Sequence, residues 1–285
     1  MKYRTKLIIK KMKLYNIGWY FLSKYYKRRD ERIKKRYAGI KIVDRNDEVA
    51  IGTNKLSLDK AEPHDYNMLL LIKKGKIYEP EVTNIIIEEL KEGQTFMDIG
   101  ANNGYYTVLA SQIVGSQGRV YSIEPNPIAY NRLIKNIEIN KLDNVSTYDF
   151  ALSDSTGSTN LYLDSDDEDG LASLLNVSER NVLAKVNVKK FDEVFGNEII
   201  HFVKMDVEGS EIAILRGMKY YLSVHKKIKI IMEWNETYTS ANDFEYLKEN
   251  FEISLLSWES GKLKKIPILD SSQLVRWCNL LLLLK

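Results

Sequence analysis

From residue 95 onward the apolar positions follow two periods in turn. Short runs with strand spacing are "TFMDI" (95–99), "RVYSIE" (119–124), "VSTYDF" (145–150), "HFVKMDV" (201–207) and "KIKIIMEW" (227–234). Between them lie stretches with helical spacing, "YYTVLASQIV" (105–114), "PIAYNRLIKNIEIN" (127–140) and "SEIAILRGMKYYL" (210–222), and a shorter one near 242–250. The chain ends in "FEISLLSW" and "WCNLLLLLK", two strand patterns with no helix between them. Alternation of this kind predicts an α/β fold with a mostly parallel sheet covered by helices on both faces. The final pair predicts an antiparallel closure near the C-terminus.

Upstream, residues 38–78 read as short strands: "GIKIVD", "VAIGT" and "NMLLLIKKGKIY", the last turning at Lys74–Gly75. This predicts a small hairpin-rich cap within a single domain of residues 38–285. "EPEVTNIIIEELKEG" follows as a helix, with Ile86, Ile87 and Leu90 on one face and Gly93 as its stop.

Charge sets residues 1–37 apart. Residues 1–36 hold fourteen Lys and Arg against two acids, with Tyr15, Trp19, Tyr20, Phe21, Tyr25 and Tyr26 among them. The whole chain carries only +3, so the remainder is acidic. Basic residues mixed with rings suit an anionic membrane surface, and equally nucleic acid. The acidic body puts the membrane ahead of nucleic acid, and the extension reads equally as a solvated, helical or partly disordered arm or as a peripheral membrane contact. One cysteine, Cys278, and three histidines exclude a disulfide framework and a thiolate or histidine-rich metal centre. With no run of about 20 apolar residues, the expectation is a cytoplasmic protein without a transmembrane segment.

Ligands of such sheets bind outside the carboxyl ends of the strands, and there the chemistry collects. "FMDIGANNGYY" (96–106) breaks a strand with Asp98 and two glycines, Gly100 and Gly104. Glycine lets the backbone approach a ligand closely, but a carboxylate beside it would repel a pyrophosphate. A ligand with positive charge, such as S-adenosylmethionine with its ammonium and sulfonium, fits better. Glu124 in "IEPNP" ends the second strand, where a carboxylate can accept from ribose hydroxyls, while Asn126 and Pro127 are suited to start a helix. Asp149 is placed to accept from an adenine amino group, and Phe150 to pack on the ring. In "KMDVEGSE" (204–211) Asp206 closes the fourth strand, Gly209 turns the chain and Ser210 can cap the next helix. Glu211 suits the first helical turn on dipole grounds alone. Glu233 ends the fifth strand and should neighbour Asp206. The acidic run 164–170 misses the calcium-loop template, since Asn176 stands where a Glu is required. His201 is expected to be structural and Cys278 a small core residue.

Taken together, "FMDIGANNGYYT", "VYSIEPNPIAYNRLIKNI" and "VKMDVEGSEIAILRGM" resemble the FkbM family of S-adenosylmethionine-dependent methyltransferases over residues 78–235. The resemblance implies a Rossmann-like, seven-stranded sheet and methyl transfer to an oxygen of a sugar, glycan or other small acceptor. It places Asp98, Gly100, Asn102 and Gly104 in the cofactor turn, with Ala101, Thr107 and Pro125 in the same stretches, and Glu124 on the ribose. Asp206, Glu208 and Glu211 become the family's acidic motif. Asp206, Glu208 and Glu233 are the expected catalytic acids, and Asp206 is expected to touch the cofactor as well. Asp206, helped by Glu233, would remove the acceptor's proton either as a base or by ligating a Mg²⁺, and the residues alone admit both. An RNA methyltransferase guided by the basic arm and a non-catalytic binding protein are the competing readings.

Overall fold

In the computed structural model, which describes residues 48–60, 62–163, 172–175 and 181–285, the alternating segments assemble as their periods require. A hairpin of β1 (Glu48–Ile51) and β2 (Asn54–Ser57) leads to α1 (Pro63–Lys73) and α2 (Pro80–Glu89). There follow β3 (Thr95–Ile99), α3 (Tyr105–Val114), β4 (Arg119–Ile123), α4 (Pro127–Asn140) and β5 (Val145–Tyr148). The strands β6 (Ala151–Ser153), β7 (Gly157–Leu163), β8 (Ala172–Ser173) and β9 (Asn181–Lys190) come next, then α5 (Phe191–Phe195). The second half holds β10 (Phe202–Met205), α6 (Glu211–Gly217), α7 (Lys219–Val224), β11 (Lys229–Asn235) and α8 (Ala241–Asn250). It closes with β12 (Phe251–Glu259), β13 (Lys262–Pro267) and β14 (Trp277–Leu284).

The main sheet has eight strands in the order β13-β12-β14-β11-β10-β3-β4-β5. From β11 to β5 neighbours run parallel, and β14 lies antiparallel between β11 and β12. Seven of these strands form the predicted Rossmann-like sheet with its C-terminal antiparallel closure. The eighth, β13, is a hairpin partner added at the edge of β12. Chain order reverses between β3 and β10, which opens a crevice at their carboxyl ends. Phe96, Met97, Ile99, Val203, Met205, Ile230 and Met232 are all buried, as strands covered on both faces must be. One layer of core packs α6, α7 and α8 on the sheet, and the other packs α1, α2 and α3.

Three segments depart from the sequence reading. "NMLLLIKKGKIY" is not a hairpin strand: residues 63–73 form a helix, with Asp65, Met68, Leu69 and Ile72 buried at helical spacing. A continuous apolar run satisfies both periods, and Pro63 in its first turn favours the helix. The helix foreseen over 210–222 breaks at Met218 into α6 and α7. Gly217 there packs so close to β6 that an added Cβ would lie 2.1 Å from the Ser153 carbonyl oxygen. Between residues 150 and 200 the chain builds a second sheet, β6-β9-β7-β8, that no pattern announced. The basic extension 1–37 with its boundary to the cap, the "GIKIVD" stretch and the acidic run 164–170 lie outside the described residues. Among the described residues no helix is long and apolar enough to cross a membrane.

Candidate active site

The crevice between β3 and β10 is a cavity of about 280 Å³. Its first wall is the turn after β3. Gly100 and Ala101 both donate their N–H groups to the Ile123 carbonyl, which pins the turn to the end of β4. Gly100 has φ +80°, and a Cβ on it would lie 1.8 Å from the carbonyl oxygen of Asp206. Only glycine therefore lets the turns after β3 and β10 touch. Asn102 also has a positive φ, of 48°. It is held because its N–H donates to Glu124 Oε2 at 2.8 Å and its Oδ1 accepts from Arg132 at 3.2 Å. Asn103 ties the same turn to α1 by donating to Asp65 at 2.7 Å.

Glu124 stands at the tip of β4, and each carboxylate oxygen takes one backbone N–H, from Asn102 and from Asn126, both at 2.8 Å. Burial pushes its carboxyl up to about 7 despite those bonds. Asn126 caps α4 as foreseen, accepting from Ile128 at 3.0 Å. Asp98 sits one step further in. It is fully buried and does not line the cavity; its Oδ2 accepts from Thr107 at 2.7 Å, and its Oδ1 has no hydrogen-bond partner. Burial raises the Asp98 carboxyl, with the Lys204 charge opposing. Thr107 likewise braces the turn from behind rather than facing the cavity.

The opposite end of the cavity is acidic. Asp206, Glu208 and Glu233 bring one ligand atom each to within 4.8 Å of one another. The parallel register of β10 and β11, Met205 beside Met232, sets Asp206 next to Glu233 as expected. Burial and then the Asp206 and Glu208 charges push the Glu233 carboxyl up to about 10. Glu208 has φ +53°, on a loop curled around Glu211, whose two oxygens accept the N–H groups of Val207 and Gly209, each at 3.0 Å. Glu211 is buried and absent from the lining. Of the acidic motif, then, Asp206 and Glu208 face the cavity and Glu211 shapes their turn. Ser210 precedes α6 but forms no side-chain hydrogen bond with its N-terminus.

Two residues expected to meet the adenine lie outside the cavity lining. β5 stops at Tyr148, and the next residues cross to the second sheet. Asp149 is exposed there, and Phe150 packs near Tyr148 with ring centroids 5.4 Å apart; neither lines the cavity. Ala151, Leu152 and Leu161 form that wall instead. His201 is structural, its Nδ1 accepting from the Thr95 N–H at 3.0 Å.

The structure adds residues the sequence reading passed over. Lys204 reaches the acidic end from within β10, its Nζ 2.9 Å from Asp206 Oδ2. A lysine inside an otherwise apolar strand was the available signal. Glu79, Tyr78 and Tyr106 line the same end, with the Tyr106 hydroxyl donating to Glu79 at 2.6 Å. Burial drives both phenols well above their ordinary value.

The arrangement fits a nucleoside that carries positive charge. Glycine backbone and apolar walls receive one end, Glu124 retains lone pairs for hydroxyls, and carboxylates face the other end. It fits a divalent metal less well. Oδ2 of Asp206 already meets an ammonium, which occupies one of the three carboxylates an ion would need.

A sequence profile of the methyltransferase FkbM domain matches residues 98–253. The hexuronic acid methyltransferase AglP of Haloferax volcanii is 27% identical over 148 residues, 49% of this chain and 56% of that protein. A crystal structure of methyltransferase FkbM from Methylobacillus flagellatus KT aligns with a TM-score of 0.47 at 18% identity. That alignment covers 78% of this chain and 50% of the other. The chain thus spans about half the length of these two relatives.

Proposed function

The chain belongs to the FkbM methyltransferase family, and from that premise we propose that it methylates a sugar hydroxyl with S-adenosylmethionine. The observation that carries this reading is the two-ended cavity, with the glycine turn and Glu124 at one end and Asp206, Glu208 and Glu233 at the other. The bound nucleoside would supply a methyl group already activated on a sulfonium. The chain's own task is alignment and removal of one proton. Gly100, Ala101 and Asn102 hold the nucleoside against the end of β3, and Glu124 accepts from its ribose. Asp206 takes the acceptor's hydroxyl proton as the new C–O bond forms. Glu233, protonated, donates a hydrogen bond to the acceptor oxygen or to Asp206. The name of the AglP relative supports a sugar acceptor.

We assign no metal to this step, because Lys204 already supplies the cation beside Asp206. Turnover is expected to persist undiminished in EDTA; loss that Mg²⁺ restores would overturn the assignment. The reading itself is tested with methyl-labelled S-adenosylmethionine and a panel of p-nitrophenyl glycosides that includes a glucuronide. Label should enter a product stable to mild base, as an ether is. A base-labile ester, or no binding of the cofactor by calorimetry, would sink it. Asp206→Asn should bind the cofactor normally and lower the transfer rate by about 100-fold or more, the usual scale of a lost general base.

A further inference from the structure

Lys204 is a cation where central strands seldom carry one. It is the third residue of β10, between β3 and β11, and only 5% of it reaches solvent. An ammonium at that depth persists only where partners replace its water. Its Nζ lies 2.9 Å from Asp206 Oδ2 and 4.9 Å from the centroid of the Tyr106 ring. The carboxylates of Asp98 on β3 and Glu79 ahead of α2 act on it as well. Burial pulls its charge state down, but these carboxylates outweigh that and hold the proton more firmly than usual. So held, the amine has no free electron pair and is not itself the base.

Among the described residues, acids gather around this ion pair. Glu233 on β11 and Glu208 in the turn lie beside Asp206, Glu211 on α6 acts on it as well, and Glu79 at the start of α2 acts on Lys204 and Glu233. The Tyr78 phenol senses Asp206, the Tyr106 ring lies beneath Lys204, and Asp98 lies behind the pair on β3. Like charges this close favour the protonated form of one another unless a cation intervenes.

We propose that Lys204 is a positioning residue of the transfer site, anchoring Asp206 by Oδ2 and balancing its charge so that Oδ1 receives the acceptor's proton. The proposal rests on the methyl-transfer reading above and adds a division of labour to it. The acceptor's O–H bond breaks, its proton passes to Asp206, and its electron pair forms the bond to the methyl carbon. The pair of the broken carbon–sulfur bond stays on sulfur, leaving a neutral thioether. No other reactant is needed.

The test uses the ligand-free, full-length protein labelled with ¹³C at the aspartate carboxyls, Asp206 being assigned by its loss in Asp206→Asn. Its resonance is followed against pH in the wild type, Lys204→Met and Lys204→Arg. In Lys204→Met the Asp206 midpoint should rise by at least about one pH unit, the usual effect of removing an adjacent opposite charge. In Lys204→Arg it should stay with the wild type. Coincident wild-type and Lys204→Met midpoints, or an arginine variant that behaves like methionine, would overturn the proposal. Should Lys204→Met fail to fold, the double variant Lys204→Met/Asp206→Asn removes both charges and is expected to fold. A double variant that also fails to fold counts against the pairing. Neither acceptor nor cofactor enters the measurement, so its failure is distinct from failure of the methyl-transfer reading.

Discussion

At the scale of single residues the site depends on close approach as much as on charge. Gly100 is where the turns after β3 and β10 meet, and no rotation of a side chain relieves a Cβ placed against the Asp206 carbonyl. Gly100→Ala should therefore cost about 1–3 kcal/mol, the range of an overpacked interior, with added strain from its positive φ. Urea denaturation measures the loss, and cofactor affinity should fall with it, because the same carbonyl must move. An alanine variant of wild-type stability would mean that the two turns are not in contact. Gly100, Glu124, Asp206 and Glu233 were legible in the sequence because each ends a strand whose period is plain. Glu79 and Arg132 were not, because their roles exist only once β3, α2 and α4 are brought together, while Lys204 showed in the sequence only as a charge out of place in an apolar strand. Asp149 lies outside the cavity for a related reason. The pattern of β5 shows where an edge strand runs, but not that the chain leaves the sheet at Tyr148.

At the scale of elements, two helices that begin beside the cavity are capped differently, although both are preceded by a residue suited to the task. Asn126 accepts from two backbone N–H groups of α4, while Ser210 accepts from none in α6. The Glu211 carboxylate has taken over that end by binding the N–H groups of Val207 and Gly209 instead. Asn126→Ala should then destabilise the protein by about 1 kcal/mol, whereas Ser210→Ala should be close to neutral, both by chemical denaturation. Equal losses would show that Ser210 caps after all. The sequence gives the same N-cap signal at both places, and the difference arises only because Glu211 is near enough to curl the loop around itself. The helix of residues 63–73 carries a similar lesson. Its apolar run matched strand and helix alike, and the choice fell to Asp65, whose burial between Asn103 and Arg132 requires the helical register.

At the scale of the whole molecule, gathering acids at one crevice sets the pH dependence of folding. A carboxyl whose value is raised in the folded chain keeps a proton that the unfolded chain has already released. Stability then falls as pH climbs through the interval between the two values. For Glu124 and Glu211 that interval runs from the ordinary 4.5 to about 7, and for Glu233 it extends to about 10. Glu89 works in the opposite sense. Lys229 and Lys265 lower it to about 2, so its contribution is complete above the ordinary value and fades only as pH falls toward 2. The ligand-free protein should thus be most stable near pH 5 and melt at progressively lower temperature at pH 7 and pH 9. Glu124 and Glu211 are half titrated at pH 7 and give up their last protons about one pH unit higher, so most of the decline toward pH 9 belongs to Glu233, and Glu233→Gln should reduce it. Thermal melts of wild type and variant at these three pH values decide the matter. Parallel curves above pH 7 would mean that Glu233 is already ionised there, leaving it no proton to donate at the acceptor end. A flattened curve would instead tie the loss of stability to the same proton that the transfer site requires Glu233 to keep.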